Sequence, residues 1–177
     1  MNHDDHVNLL RPARLALGGT WADLGAGTGA FTLALRALIG PEAVIYAVDK
    51  DRSSLAELRR GYEGRFREAS SLRMLHADLR AIADMPPLDG VLMANCLHFL
   101  KDAAAVLSQV RGLLKPGGML LLVEYNVDTG NPWVPYPLSF RTFKSVATAA
   151  GFEEPRLVAS HPSSFLREFY SAAATAP

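Results

Sequence analysis

Short apolar runs alternate along this chain with stretches in which apolar residues recur every three or four positions. Gly19 to Leu24, Ala43 to Val48, Leu72 to His76, Leu88 to Ala94 and Met119 to Tyr125 are brief and nearly continuous, the pattern of strands covered on both faces. Between them, Thr28 to Leu38, Asp51 to Gly61, Lys101 to Leu114 and Ser139 to Ala150 carry helical spacing, as in Ala104, Leu107, Val110 and Leu114. Gly40-Pro41, a tight turn at Lys115-Pro116-Gly117-Gly118, and Gly151 end three of these helices. Strands alternating with helices predict an α/β fold with a mostly parallel sheet. Arg156 to Ser160 and Phe165 to Ser171, joined by His161 to Ser164, predict an antiparallel hairpin at the sheet edge. The small residues Ala172 to Pro177 are expected to fray.

Two segments fall outside this rhythm. Asn126 to Pro137 holds three prolines, Trp133 and Tyr136, and a loop of that length in one domain is usually functional. Residues 1–18 form either a short helix capping a ligand or a polar tail.

Composition narrows the function classes. A chain of 177 residues, 49% hydrophobic and 20% charged, suits one soluble domain. Lys plus Arg equals Asp plus Glu at 18 each, so no net field draws it to nucleic acid or to a membrane. The basic run Arg59, Arg60, Arg65 and Arg67 reads as a solvated helix end. Cys96 is the only cysteine, so no intrachain disulfide can form. No secretory leader or apolar span is legible, and a cytoplasmic location is expected.

The chemistry concentrates at Trp21 to Phe31, W-A-D-L-G-A-G-T-G-A-F. Gly25, Gly27 and Gly29 let backbone N–H groups approach a ligand closely at a helix N-terminus. Taken alone, the glycines also fit a dinucleotide-binding loop. Asp23 argues otherwise: a carboxylate there repels phosphates but favours an ammonium or sulfonium. The loop reads as made for a cationic nucleoside that lacks phosphate.

Asp23 and the glycine loop, then Asp49, Asp78 and Asn95, close successive strands, and L-K-P-G-G stands at Leu114 to Gly118. This ordered set resembles the class I S-adenosylmethionine-dependent methyltransferases, in particular their small-molecule branch, and the C-terminal hairpin is similar to that family's antiparallel last strand. The resemblance implies a Rossmann-like, doubly wound, seven-stranded sheet with helices on both faces, in a single domain over residues 1–177. It implies S-adenosylmethionine as cofactor. Gly25, Ala26, Gly27 and Gly29 would pass against its methionine part, with Asp23 helping to hold the ammonium. Asp49, about 20 residues beyond the loop, would chelate the ribose hydroxyls, and Lys50 would lay its stem on the adenine. Asp78 and the Leu79 N–H would read the adenine edge, and Asn95 would lie beside the sulfonium. Each has a plain alternative: Asp49 and Asp78 also suit helix caps, Lys50 suits a solvated surface, and Cys96 suits the core.

Methyl transfer needs a base only where the acceptor must lose a proton. His98, Glu124 and Tyr125 are the candidates at the strand ends, with His3 and His6 further off. His98 between Leu97 and Phe99 suits packing as well as catalysis. Glu124 and Tyr125 are consecutive in a strand and face opposite sides, so only one points into a site. Trp133 and Tyr136 form either an aromatic wall for a flat or cationic acceptor or a self-packed loop, and Arg141 could grip a carboxylate. The expected reaction is metal-independent methyl transfer to a small-molecule acceptor. Two alternatives remain at this point: a non-catalytic cofactor-binding module acting with a partner protein, and a nicotinamide-dependent reductase. Little protein is left to enclose an acceptor, so a second copy in a homodimer could complete the site.

Overall fold

The computed structural model describes residues 1–66, 71–79 and 85–177, so Arg67 of the basic run lies outside the described residues. The apolar runs form β1 (Thr20–Leu24), β2 (Val44–Asp49), β3 (Leu72–His76), β4 (Leu88–Ala94) and β5 (Leu114–Tyr125), and the hairpin forms β6 (Arg156–Pro162) and β7 (Glu168–Thr175). The helices are α1 (His3–Leu10), α2 (Ala30–Ile39), α3 (Arg52–Arg65), α4 (Ala103–Leu113) and α5 (Phe140–Ala149). The seven strands join one sheet in the order β3-β2-β1-β4-β5-β7-β6, in which β7 runs opposite to the other six. The order reverses at β1, which has β2 on one side and β4 on the other, and ligands in open α/β sheets bind beyond the carboxyl ends at such a point.

Strand residues alternate between two helix layers. Ala22, Leu24, Val91, Met93, Leu120 and Leu122 pack with Val106, Leu107 and Val110 of α4 and Phe143 and Ala147 of α5. Trp21, Ile45, Leu92, Leu121 and Val123 face the other way, toward Val7, Leu9 and Leu10 of α1 and Ala34 and Leu35 of α2. Leu58 and Tyr62 of α3 pack with Ala26 and Ala47.

Three expectations change. Ala172 to Thr175 do not fray: they complete β7, pair with Met119 to Leu122, and bury Ala172, Ala173 and Ala174. Small side chains fit where a strand is covered by helices on both faces. Strand β5 begins at Leu114, which pairs with Leu88 through a register shift, so the Pro-Gly-Gly stretch is a bent strand entry rather than a turn outside the sheet. The N-terminal segment is a short helix and not a polar tail. Asn2 caps α1 through a capping box, and the helix lies in the sheet-covering layer, its apolar side buried with α2. The Ser171 hydroxyl donates to the Leu9 carbonyl at 2.6 Å, and Arg156 donates to the Ala13 carbonyl at 2.8 Å.

Candidate active site

Beyond Leu24 the chain turns away from β1, and the Gly25 and Ala26 N–H groups both donate to the Val48 carbonyl, at 2.9 and 3.0 Å. Gly25 sits at φ +78°, and a Cβ there would stand 2.6 Å from the Cys96 Cβ, so no side chain fits. Gly27, at φ +52°, has nothing within 4 Å of where its Cβ would be: its bare face borders open space. The Gly27 N–H donates to Asp49 Oδ2 at 2.8 Å, and the Asp51 N–H donates to Oδ1 at 2.9 Å. Two backbone donors therefore fix the Asp49 carboxylate, and each oxygen keeps lone-pair capacity for a further donor.

Gly25, Gly27, Asp49, Lys50, Asp78, Leu79 and Asn95 line one cavity of about 580 Å³, together with Cys96, Phe99 and Leu100. Lys50 is exposed, and its carbonyl accepts from His76 Nε2 at 2.9 Å, while Arg52 Nε donates to His76 Nδ1 at 3.2 Å. His76 thus pins the Lys50 backbone, a role its place at the end of β3 did not announce. Asp23, Ala26 and Gly29 stand behind the cavity wall. Asp23 is buried on the α2 side of β1, where Oδ2 accepts from the Thr32 hydroxyl at 2.5 Å. Burial pushes its pKa up to about 7; the Thr32 bond opposes that rise and the Asp49 charge adds to it.

Among the described residues, two buried side-chain oxygens lack a hydrogen-bond partner, Asp23 Oδ1 and Asn95 Oδ1. Asn95, at φ +53°, is also a non-glycine residue in the left-handed region. An orphaned acceptor on a cavity wall waits for a donor. That observation, the bare Gly27 face and the lone pairs left on Asp49 suit a ligand that carries an ammonium group and neighbouring hydroxyls.

The opposite wall begins at the 3₁₀ turn Leu97–Phe99, directly after β4. Glu124, wholly buried at the end of β5, holds this turn: Oε1 accepts the Leu97 and His98 N–H groups at 3.0 and 3.2 Å, and Oε2 lies 2.6 Å from His98 Nδ1. The Tyr136 N–H donates to the His98 carbonyl at 2.9 Å. Both Glu124 oxygens are thereby committed to this turn, which makes it a positioning group. With Nδ1–H donated to the carboxylate, neutral His98 keeps Nε2 as an acceptor. Tyr125 faces the other side of the sheet, its ring centroid 4.3 Å from that of Phe169 and 6.1 Å from that of His98. Burial and the Glu124 charge raise its pKa, which disfavours the phenolate. Cys96 donates its thiol to the Leu24 carbonyl at 3.0 Å, and burial pushes its pKa up, so it is an inert core thiol.

The long loop is fixed by its own polar residues. Asp128 accepts from the N–H and hydroxyl of Ser139, both at 2.9 Å, and Asn131 Oδ1 accepts the Trp133 N–H at 2.9 Å. Trp133 and Tyr136 are exposed, as is Arg141. Among the described residues no group of three or more His, Cys, Asp or Glu side chains could hold a metal ion, and no helix is long and apolar enough to cross a membrane.

Residues 22–120 match the family model described as a methyltransferase domain. The chain belongs to this family. Curated relatives of this methyltransferase chain include malonyl-[acyl-carrier protein] O-methyltransferase of Xylella fastidiosa, 31% identical over 108 residues that cover 60% of this chain and 35% of the relative. Mouse acetylserotonin O-methyltransferase is 34% identical over 114 residues, 61% of this chain and 28% of the relative. The chain thus spans about a third of the length of these two proteins. Among solved structures, phosphoethanolamine N-methyltransferase 2 of Haemonchus contortus in complex with S-adenosyl-L-methionine superposes with a TM-score of 0.77 at 16% identity, over 98% of this chain and 52% of that one. S-adenosylmethionine is the cofactor that belongs with this fold and family, and the nicotinamide alternative falls away.

Proposed function

We propose that the chain transfers the methyl group of S-adenosylmethionine to a small-molecule acceptor without a metal ion, and that His98 takes up the acceptor's proton. The observation that carries this reading is the buried His98–Glu124 pair, 2.6 Å apart, on the turn that walls the cavity. Support from relatives comes from their names, malonyl-[acyl-carrier protein] O-methyltransferase and acetylserotonin O-methyltransferase.

The residues divide the work. Asp49 would take the ribose hydroxyls on its remaining lone pairs, and the Asn95 oxygen would accept from the methionine ammonium. Asp78 and Leu79 would border the adenine, with the Lys50 stem alongside. Asp23 would add negative charge from behind the glycine loop, favouring a cation in front of it. When bound, the cofactor supplies an activated methyl carbon, which leaves sulfur with no covalent help from the protein. What remains for the chain is alignment, exclusion of water and removal of one proton. His98 Nε2 accepts that proton, and Glu124 steadies the imidazolium and fixes the tautomer beforehand.

A screen of acceptors with methyl-labelled cofactor would find the substrate, and His98→Gln would test the role. Loss of general-base help should lower turnover by about 10²–10⁴-fold while binding of S-adenosylhomocysteine stays at the wild-type value. Unchanged turnover in His98→Gln would remove His98 from the mechanism. Glu124→Gln, which keeps shape and loses charge, should show a smaller loss and an altered pH profile.

A further inference from the structure

The Asp49 carboxylate is held by two backbone N–H groups, those of Gly27 and Asp51. The second belongs to a peptide unit that is also gripped from behind. The Lys50 C=O and the Asp51 N–H are the two polar ends of one planar trans peptide, so they point in opposite directions. The N–H donates to Asp49 Oδ1 at 2.9 Å, and the carbonyl lies 2.9 Å from His76 Nε2. A single peptide plane thus stands between a histidine ring and a carboxylate on the cavity wall.

The ring is itself oriented. Arg52 Nε lies 3.2 Å from His76 Nδ1, and a guanidinium has only donors, so Nδ1 accepts. In the neutral ring the proton then sits on Nε2, the tautomer that can donate to the Lys50 carbonyl. Arg52, His76, Lys50 and Asp51 form a relay of hydrogen bonds that ends on Asp49, and each donation polarises the next. The sheet alone does not supply this. Asp49 and His76 are ladder partners, and the Ala77 N–H donates to the Asp49 carbonyl at 3.1 Å, which fixes the end of β2. The next peptide lies beyond the ladder, where a flip would turn its N–H away from Asp49. The His76 bond opposes that flip.

We infer that His76 is a positioning residue for the ribose of the cofactor, acting through the Lys50–Asp51 peptide to aim the Asp49 carboxylate. This rests on the reading of Asp49 as the group that takes the ribose hydroxyls. Without His76, Asp49 keeps its charge and its Gly27 bond, but Oδ1 loses a fixed donor. The carboxylate then turns away from the one orientation that serves two neighbouring hydroxyls at once. His76 and Arg52 are exposed, so water competes for their bonds and the effect is modest in size. It falls on the hydroxyls and leaves the adenine contacts as they are.

Two probes that differ only at the ribose test this, adenosine and 2′,3′-dideoxyadenosine, each titrated in competition with S-adenosylhomocysteine. The proteins compared are wild type, His76→Leu, which fills similar space without a hydrogen-bonding group, and His76→Gln, whose amide keeps a donor near the place of Nε2. We expect wild type to prefer adenosine. In His76→Leu that preference should shrink about three- to tenfold, through lost adenosine affinity with dideoxyadenosine binding unchanged, and His76→Gln should restore most of it. A preference that survives His76→Leu, equal losses for the two probes, or a glutamine variant as impaired as the leucine one would each overturn the role of His76 and leave that of Asp49 in place. No preference in wild type would remove Asp49 from the ribose, and His76 with it.

Discussion

Asp23 was read as a charge offered to the ligand, and the structure gives it a second character, that of a proton reservoir under the glycine loop. Its folded pKa of about 7 lies above the ordinary 3.8 because burial penalises the charge. Between about pH 4 and pH 7 the folded chain therefore holds a proton that the unfolded chain has already released. Stability contributed by this group is full below the unfolded pKa and falls as pH rises through that window, by about 4 kcal/mol in total for a shift from 3.8 to about 7, then levels off. Urea titrations at pH 5 and pH 7.5 should show the fall, and Asp23→Asn should flatten it. A cationic ligand acts in the opposite sense, because it favours the carboxylate. Affinity for S-adenosylhomocysteine, which keeps the amino group, should climb from pH 5.5 to 7.5, with a proton released on binding near pH 6. Calorimetry in two buffers of different ionisation heat measures that release directly. Equal heats in both would dissociate Asp23 from binding.

Strand β1 and its neighbour β4 show how one small residue sets the spacing of an element pair. Trp21 and Gly90 are direct partners in the ladder, and the indole lies across the space where a Gly90 side chain would be. Gly90→Ala would drive a methyl into that ring and should cost about 1–3 kcal/mol, read as a lower urea midpoint with an unchanged slope. The sequence showed this pair only as an apolar run and a glycine. It did show most elements: five apolar runs became five strands, with β3 and β4 at the expected residues. What escaped was decided by tertiary context. Lys115 to Gly118 reads as a turn from its proline and glycines, and Leu114 as the end of a helix, yet Leu114 finds a strand partner in Leu88 and Gly118 bonds to Ala176. The alanines of β7 look featureless until both helix layers close over them. At the site, the acidic strand ends were legible because strand position and residue type agree. The pairing of Glu124 with His98 was not, since 26 residues separate them and only the crossover from β4 to β5 brings them together. Thr32 beneath Asp23 gave no signal beyond its place in the first turns of α2.

The molecule as a whole is tied across its sequence. The Ser171 hydroxyl reaches Leu9 across 162 positions, and Arg156 reaches Ala13 across 143. Ser171→Ala should leave the Leu9 carbonyl without its partner and cost about 1–2 kcal/mol. Amide exchange should then quicken in α1 and stay unchanged in α4, which packs in the other layer. Exchange rising equally in both helices would mean that the two layers open as one unit. The same arrangement has a bearing on how the chain is made. Strand β7 is the last of the seven in sequence yet sits between β5 and β6. On a translating ribosome, β5 carries Leu120, Leu121 and Leu122 with one edge bare until Glu168 to Thr175 have left the exit tunnel, and α1 has no hydroxyl from β7 to hold it. The nascent protein passes through a stage in which the whole glycine loop has been synthesised while the sheet beside it is still open to other chains.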